Sequence, residues 1–280
     1  DLPVGGSTIL DGNQATGSFQ LGLSYTYRHS DRLFNGQSGV ANPNNISTTF
    51  HRISLNGQFR FSDELTLSAF VPWLEGVRKE RGTTDRRLSG LGDVTLLAQW
   101  SPWAGDAEAQ PLLSGLSLLG GIELPTGEDN DQPFTGNAAP SLFQLGNGTF
   151  NPKLGFSYGK AIDKSSYFGR VVATIPIGES DADLDSGSYL QASVGTGYRL
   201  TDALTLQLSV DGTFRERDQL NNVDVSNTGS VSLSVTPAVS WRVNDKLAVD
   251  ASASIPFFHD VRSTQVAPGT SFQLGARFNF

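Results

Sequence analysis

From Phe19 to Arg28 every second residue is apolar: Phe19, Leu21, Leu23, Tyr25 and Tyr27 alternate with Gln20, Gly22, Ser24, Thr26 and Arg28. Successive side chains of an extended strand leave the backbone on opposite faces, so a period of two gives this segment one apolar and one polar surface. A helix, with its period near 3.6, would smear the same residues around its whole circumference. The alternation returns eleven more times, at 52–61, 65–73, 94–100, 112–124, 154–158, 171–177, 190–200, 204–214, 231–241, 247–257 and 272–280. Twelve two-faced strands without helical periodicity between them restrict the chain to an all-β fold. Their even number suits a closed antiparallel sheet with both termini on one side.

The connections alternate as well. Short turns fall at Ser62–Glu64, Ala161–Lys164, Thr201–Ala203 and Val243–Lys246, with a somewhat longer one at Ser101–Pro111. Longer polar segments fall at Ser30–Asn45, Glu75–Ser89, Thr126–Gly148, Gly178–Gly187, Glu216–Thr228 and Phe258–Thr270. Short turns at one rim and long loops at the other describe a transmembrane antiparallel β-barrel, the turns periplasmic and the loops extracellular.

A soluble β-sandwich would also alternate, but it gives no reason for the short and long connections to take turns. Nor does a sandwich core explain aromatics at the strand ends: Tyr25, Tyr27, Phe50 and Trp73 toward the outer rim, and Phe59, Phe61, Trp100, Trp103 and Trp241 toward the inner one. Two interfacial girdles do explain them. The mean hydropathy of -0.21 excludes a spanning helix of about 20 apolar residues but not a barrel, whose strands need only one apolar face. These features predict a multi-pass barrel at residues 18–280 of the outer membrane of a Gram-negative bacterium.

The opposite parity should line the lumen. It contains Arg28, Arg52, Arg60, Lys153, Arg170, Arg199, Arg215, Arg242 and Arg277, opposed by Asp93, Glu123, Asp211 and Asp250, with Asn56, Gln58, Gln99, Gln191, Gln207 and Gln273 among them. Such a wall is stabilised by arginine–carboxylate pairs, or it sets a local potential that favours polar or anionic solutes. Asp93 is expected to pair with one of these arginines. Twelve strands lie between narrow eight-stranded barrels and wide porins, leaving room for a modest channel unless loops or the N-terminal segment fill it.

Pro72, Pro125, Pro176 and Pro256 take inward positions at the predicted outer ends of odd strands. A residue without an N–H breaks the ladder, so these four should mark bulges, strand ends or openings in the wall. Pro237 has the other parity and predicts a further irregularity. Residues 1–17 lack alternation and form either a periplasmic arm or a lumen-inserted segment. A first residue other than Met fits a processed chain.

The absence of cysteine rules out disulfides and thiol chemistry. A net charge of -8 without a basic patch argues against nucleic acid as a partner. Three histidines, His29, His51 and His259, leave a surface hydrolase as an alternative, although His29 and Ser30 are adjacent and diverge on a strand. Two acidic stretches, Glu128–Asp131 and Asp181–Gly187, gather hard oxygen donors; Asp181, Asp183 and Asp185 are calcium candidates without the distal Glu of a calcium loop. No cofactor is expected.

The segments Arg87–Trp100, reading RLSGLGDVTLLAQW, and Leu118–Gly127, reading LLGGIELPTG, carry a resemblance. Gly90–Asp93 and Leu124–Gly127 resemble the strand-opening Gly-Leu-Gly-Asp and strand-closing Leu-Pro-Thr-Gly of outer-membrane transporters associated with the meta-pathway of phenol degradation. Gly90 and Gly92 precede a strand, so the helix start of a phosphate-binding loop is missing. The resemblance implies uptake of small, often aromatic or hydrophobic compounds. The expected function is therefore passive passage of small solutes, axially or sideways through the wall, by a monomer in lipid and lipopolysaccharide. A plugged envelope or adhesion barrel is the alternative outside enzymes.

Overall fold

The computed structural model describes residues 16–105, 110–129, 143–180 and 184–280. Twelve strands make its wall: β1 (Phe19–Ser30), β2 (Ser47–Arg60), β3 (Leu65–Lys79), β4 in two segments (Arg86–Leu91 and Val94–Trp100), β5 (Leu116–Leu124) and β6 (Asn151–Ile162). The circuit continues with β7 (Ser165–Thr174), β8 (Tyr189–Arg199), β9 (Leu204–Arg215), β10 (Ser230–Arg242), β11 (Leu247–Val266) and β12 (Ser271–Asn279). Each strand pairs antiparallel with its neighbours in sequence. The pairing of β1 with β12, from Gln20 opposite Asn279 to Arg28 opposite Ser271, closes the barrel.

Closure is what lets strands cross a bilayer, because hydrocarbon offers no partner to an unpaired N–H or C=O. The exterior matches. Leu23, Ile53, Trp73, Val194, Leu208 and Leu274 point outward and are exposed, whereas their inward neighbours Gln20, Ser24, Ser54, Gln191, Ser209 and Asp211 are buried. The molecule is thus turned inside out relative to a soluble protein: an apolar belt faces lipid and the polar residues face the axis. It is an integral outer-membrane barrel.

Three short turns share one device. In Phe61–Leu65, Leu200–Leu204 and Val243–Leu247 a small polar residue precedes an aspartate, and its side chain gathers backbone N–H groups. Ser62 Oγ accepts from Glu64 and Leu65, Thr201 Oγ1 from Ala203 and Leu204, and Asn244 Oδ1 from Lys246 and Leu247. These side chains replace ladder partners where the chain reverses, which keeps the turns short.

The long-loop rim departs from expectation in two places. β3 runs on to Lys79 and β4 begins at Arg86, so most of the expected loop 75–89 is strand. Likewise β11 continues to Val266, where it pairs with a short strand, Leu33–Gly36. Both extensions project beyond the lipid, where neither face must be apolar and alternation fades. Leu112 precedes a 3-10 turn at Leu113–Gly115 rather than opening β5, and Ile175 and Ile177 lie past the end of β7. Leu184–Asp185, Gln219–Leu220 and Val223–Asp224 form a small separate sheet in the long loops.

Candidate functional site in the lumen

Inward positions on β2 to β7 are not uniformly polar. Phe70 of β3 packs with Leu97 of β4, Leu119 of β5 and Val172 of β7 in a buried cluster. A second cluster joins Phe50, Leu74 and Leu88 to Phe143 and Leu145, which belong to the loop between β5 and β6. The end of that loop at Phe143–Leu145 therefore packs inside the barrel. Phe50 belongs to this interior cluster and not to the outer aromatic girdle, as its parity with Arg52 and Ser54 requires.

Between the two clusters lies a cavity of about 100 Å³. Phe70, Pro72, Leu74 and Leu145 give it apolar walls, while Arg52, Asp93 and Glu123 bring charge. Glu123 is held from three sides: Lys153 Nζ lies 3.0 Å from Oε2, Asn151 Nδ2 donates to Oε1 at 2.8 Å, and Thr95 Oγ1 donates to Oε2 at 3.3 Å. Lys153 is fully buried and also donates to Thr174 Oγ1 and Tyr189 Oη, each at 3.1 Å. A buried pair with its remaining donors and acceptors filled survives desolvation; losing one member costs about 3–5 kcal/mol.

The two segments that carry the family resemblance meet here. Thr126 Oγ1 donates to Gly92 O at 2.9 Å and accepts from Val94 N at 2.9 Å, bridging the break between the segments of β4. Asp93 accepts from Gly127 N and Asn147 N, both at 3.0 Å. Its partners are thus loop amides and not the expected arginine, because the loop passes too close to leave space for a side chain. A Cβ on Gly90 would lie 2.7 Å from Leu145 Cδ1, and one on Gly127 would lie 2.7 Å from the Leu145 backbone. The Gly-Leu-Gly-Asp and Leu-Pro-Thr-Gly segments form one latch that holds Leu145–Asn147 inside the barrel.

The other lumen candidates divide by height and partner. Arg28 stacks over the Phe50 ring at 5.2 Å. Arg170 is directed inward between Phe168 and Val172 on β7, and its buried Nε and Nη2 have no hydrogen-bond partner among the described residues. Asp211 also lacks the expected arginine; it accepts from Ser193 at 2.6 Å, Ser209 at 3.2 Å and Thr236 at 2.5 Å. Asp250 and Arg277 do pair, at 3.5 Å, as do Arg215 and Asp218, at 3.2 Å. Arg60, Arg199 and Arg242 sit at the short-turn rim, with Arg60 3.6 Å from Asp63.

Pro72 and Pro256 lie within strands, not at their ends. Pro72 faces the β4 break, and its carbonyl accepts from Gly92 N at 2.8 Å. Pro256 adjoins a register shift between β10 and β11. Pro125 and Pro176 follow the last residues of β5 and β7. Pro237 keeps its place opposite Leu208 on the β9 side. The histidines are dispersed: His29 with Thr49, His51 with Tyr25 and His259 against Phe34. Asp185 pairs with Gln219 in the small loop sheet. Asp181, Asp183, Asp131 and residues 1–15 lie outside the described residues.

The apolar luminal clusters went unassigned in the sequence. Their signal was present as breaks in alternation: Phe70-Val71, Leu96-Leu97, Leu118-Leu119 and Val171-Val172 are apolar on both faces.

Over residues 5–274 the chain matches the family described as the MetA-pathway of phenol degradation. No curated protein matches it. Among solved structures it is similar to an outer membrane channel from Pseudomonas putida F1, with 15% identity over 95% of this chain and 97% of that one and a TM-score of 0.73. It is also similar to the beta domain of the Bordetella autotransporter BrkA, with 10% identity, coverage of 94% and 100%, and a TM-score of 0.54. For the translocator domain of the autotransporter NalP from Neisseria meningitidis the values are 12%, 98% and 92%, and 0.51. At such identities the likeness is one of fold.

Proposed function

Since the chain belongs to the phenol-degradation family that its sequence matches, we propose that it is a passive outer-membrane channel for small aromatic or otherwise amphipathic solutes. The observation that carries this reading is the sequence of surfaces inside the barrel. An outer apolar cluster leads to a cavity with both apolar and charged walls, and Phe70 of that cavity leads on to the inner apolar cluster. A cavity of similar order, about 150 Å³ and wholly apolar, holds benzene. Charged and hydrogen-bonding wall groups would replace part of a solute's water while the apolar side chains hold its ring. The solute gradient drives the passage, with no chemical step. The prolines at irregular points of the wall support a sideways exit for apolar solutes as a variant of this route.

Purified protein in planar bilayers should conduct ions, and proteoliposomes should take up labelled phenol or toluene faster than protein-free vesicles. Failure of both, across a panel of solutes, overturns the reading.

A second reading, a plugged barrel with an envelope or adhesion role, is favoured by the latched loop. Asp93→Ala leaves the Gly127 and Asn147 amides without their acceptor, a loss of about 1–3 kcal/mol. If the loop is the obstruction, conductance is near zero in the parent protein and rises in this variant. The hydrolase alternative predicts release of products from phospholipid or peptide that stops when His29 or His259 is replaced.

A further inference from the structure

Building on the channel reading, we propose that the solute recognised in this lumen is an amphipathic monocarboxylate, its ring or chain against Phe70, Pro72 and Leu74 and its anion on the guanidinium groups of Arg52 and Arg28, with Arg170 as the next station inward.

Four observations lead there. First, the carboxylates at the cavity are already committed. Glu123 is bound by Lys153, Asn151 and Thr95, and Asp93 by two backbone amides. Their capacity to attract a cation or to accept from a neutral hydroxyl is largely spent.

Second, the arginines form an inward pair on adjacent strands. The β1–β2 register sets Thr26 opposite Arg52 and Arg28 opposite Phe50, so the two guanidinium groups lie diagonally on the same face. Two guanidinium groups on one face can donate together to a single carboxylate. Among the described residues Arg28 has no carboxylate partner, only the face of Phe50.

Third, Arg170 leaves two buried nitrogens, Nε and Nη2, without a hydrogen-bond partner among the described residues. A guanidinium withheld from water without an anion is costly, and its planar fork suits a carboxylate. Arg170 lies two residues from Val172 on the same face of β7, and Val172 packs with Leu97, Leu119 and Phe70. Each station therefore combines a cation with an apolar surface, the pairing that an amphipathic anion presents in reverse.

Fourth, the cavity is small, and Asp93 and Glu123 share its wall with Arg52. Arg52 is the one cation among its described lining residues, so a second negative charge on the solute would find no partner there. That favours one carboxylate over a dianion.

The test compares protein-dependent entry, the rate into proteoliposomes carrying the full chain less the rate into protein-free vesicles, for three solutes of similar shape, each below saturation: benzoate, benzyl alcohol and benzylamine. Benzoate should enter about tenfold faster than the other two, as expected if one charge-assisted hydrogen bond is gained. In Arg28→Gln/Arg52→Gln the ratio of benzoate to benzyl alcohol should fall to near one, and Arg170→Gln should lower it in part. Arg28→Lys/Arg52→Lys, which keeps the charge, should retain most of the preference and serves if the glutamine variant does not fold. Equal entry of benzoate and benzyl alcohol overturns the inference and leaves the channel standing; so does a preference that survives in a folded glutamine variant. Entry of none of the three overturns the channel reading with it.

Discussion

The two halves of the lumen are built by different rules. Inward positions on β2 to β7 include Phe50, Phe70, Leu74, Leu88, Leu97, Leu119, Phe168 and Val172. Those on β8 to β12 include few large apolar side chains, Tyr189 and Val261 toward the outer rim. They are mostly Ser, Thr, Gln and Gly, with Asp211 held by three hydroxyls and Asp250 by Arg277. Both halves have the same lipid-facing exterior, so the difference has no origin in the membrane. In the second half polar side chains bind one another and stiffen the wall. In the first, apolar side chains are withdrawn from lipid, where they would be stable at no cost, and turned to the axis. That placement makes sense where something else covers them: the Phe143–Leu145 segment at the outer cluster, one another at the inner cluster and, on the proposed channel reading, a solute at the cavity.

The contrast can be broken most severely at the charge pair set into the apolar half. Lys153→Met leaves Glu123 buried without its cation and should destabilise the barrel by about 3–5 kcal/mol, read as a fall in the temperature at which the heat-modifiable band unfolds in detergent. Adding Glu123→Gln should recover much of that loss. In the polar half, Asp211→Asn removes one acceptor oxygen from three hydroxyl donors, and a loss of about 1–3 kcal/mol is expected by the same assay, with solute flux little altered. A functional version exchanges surface character: Leu97→Ser/Leu119→Ser should lower aromatic uptake about tenfold, a change of about 1.4 kcal/mol, whereas Ser234→Ala/Ser254→Ala should leave it within about twofold. Equal effects from the two pairs would end the distinction between halves. The smallest effect is expected outside both. Tyr25→Phe removes the 2.7 Å contact with His51 on the exterior and should change stability by less than about 1 kcal/mol.

The barrel was legible because lipid enforces alternation wherever a strand crosses it. The twelve strands and the rim at which each turn lies follow from parity and spacing alone. The same rule explains where the reading stopped: β3 to Lys79 and β11 to Val266 continue beyond the bilayer, where nothing demands an apolar face. Parity also placed Arg28, Arg52, Glu123, Lys153 and Arg170 inward, but it does not say who meets whom. Asp93 finds backbone amides of residues 34 and 54 positions away. No local pattern encodes such a contact, although the glycines that admit it, Gly90 and Gly127, were visible as part of the family resemblance. The apolar stripe is written in doublets such as Leu96-Leu97 and Leu118-Leu119, whose second members face the interior and break the alternation.

The chain contains no cysteine, so single cysteines can report the solute's position directly. Phe70→Cys faces the cavity on the apolar half, and Ser234→Cys faces the axis on the polar half. The decisive measurement is the rate at which a small thiol reagent modifies each one with and without benzoate. Benzoate is expected to slow modification at position 70 severalfold and to leave position 234 unchanged. Equal protection at both positions, or none at position 70, would contradict it.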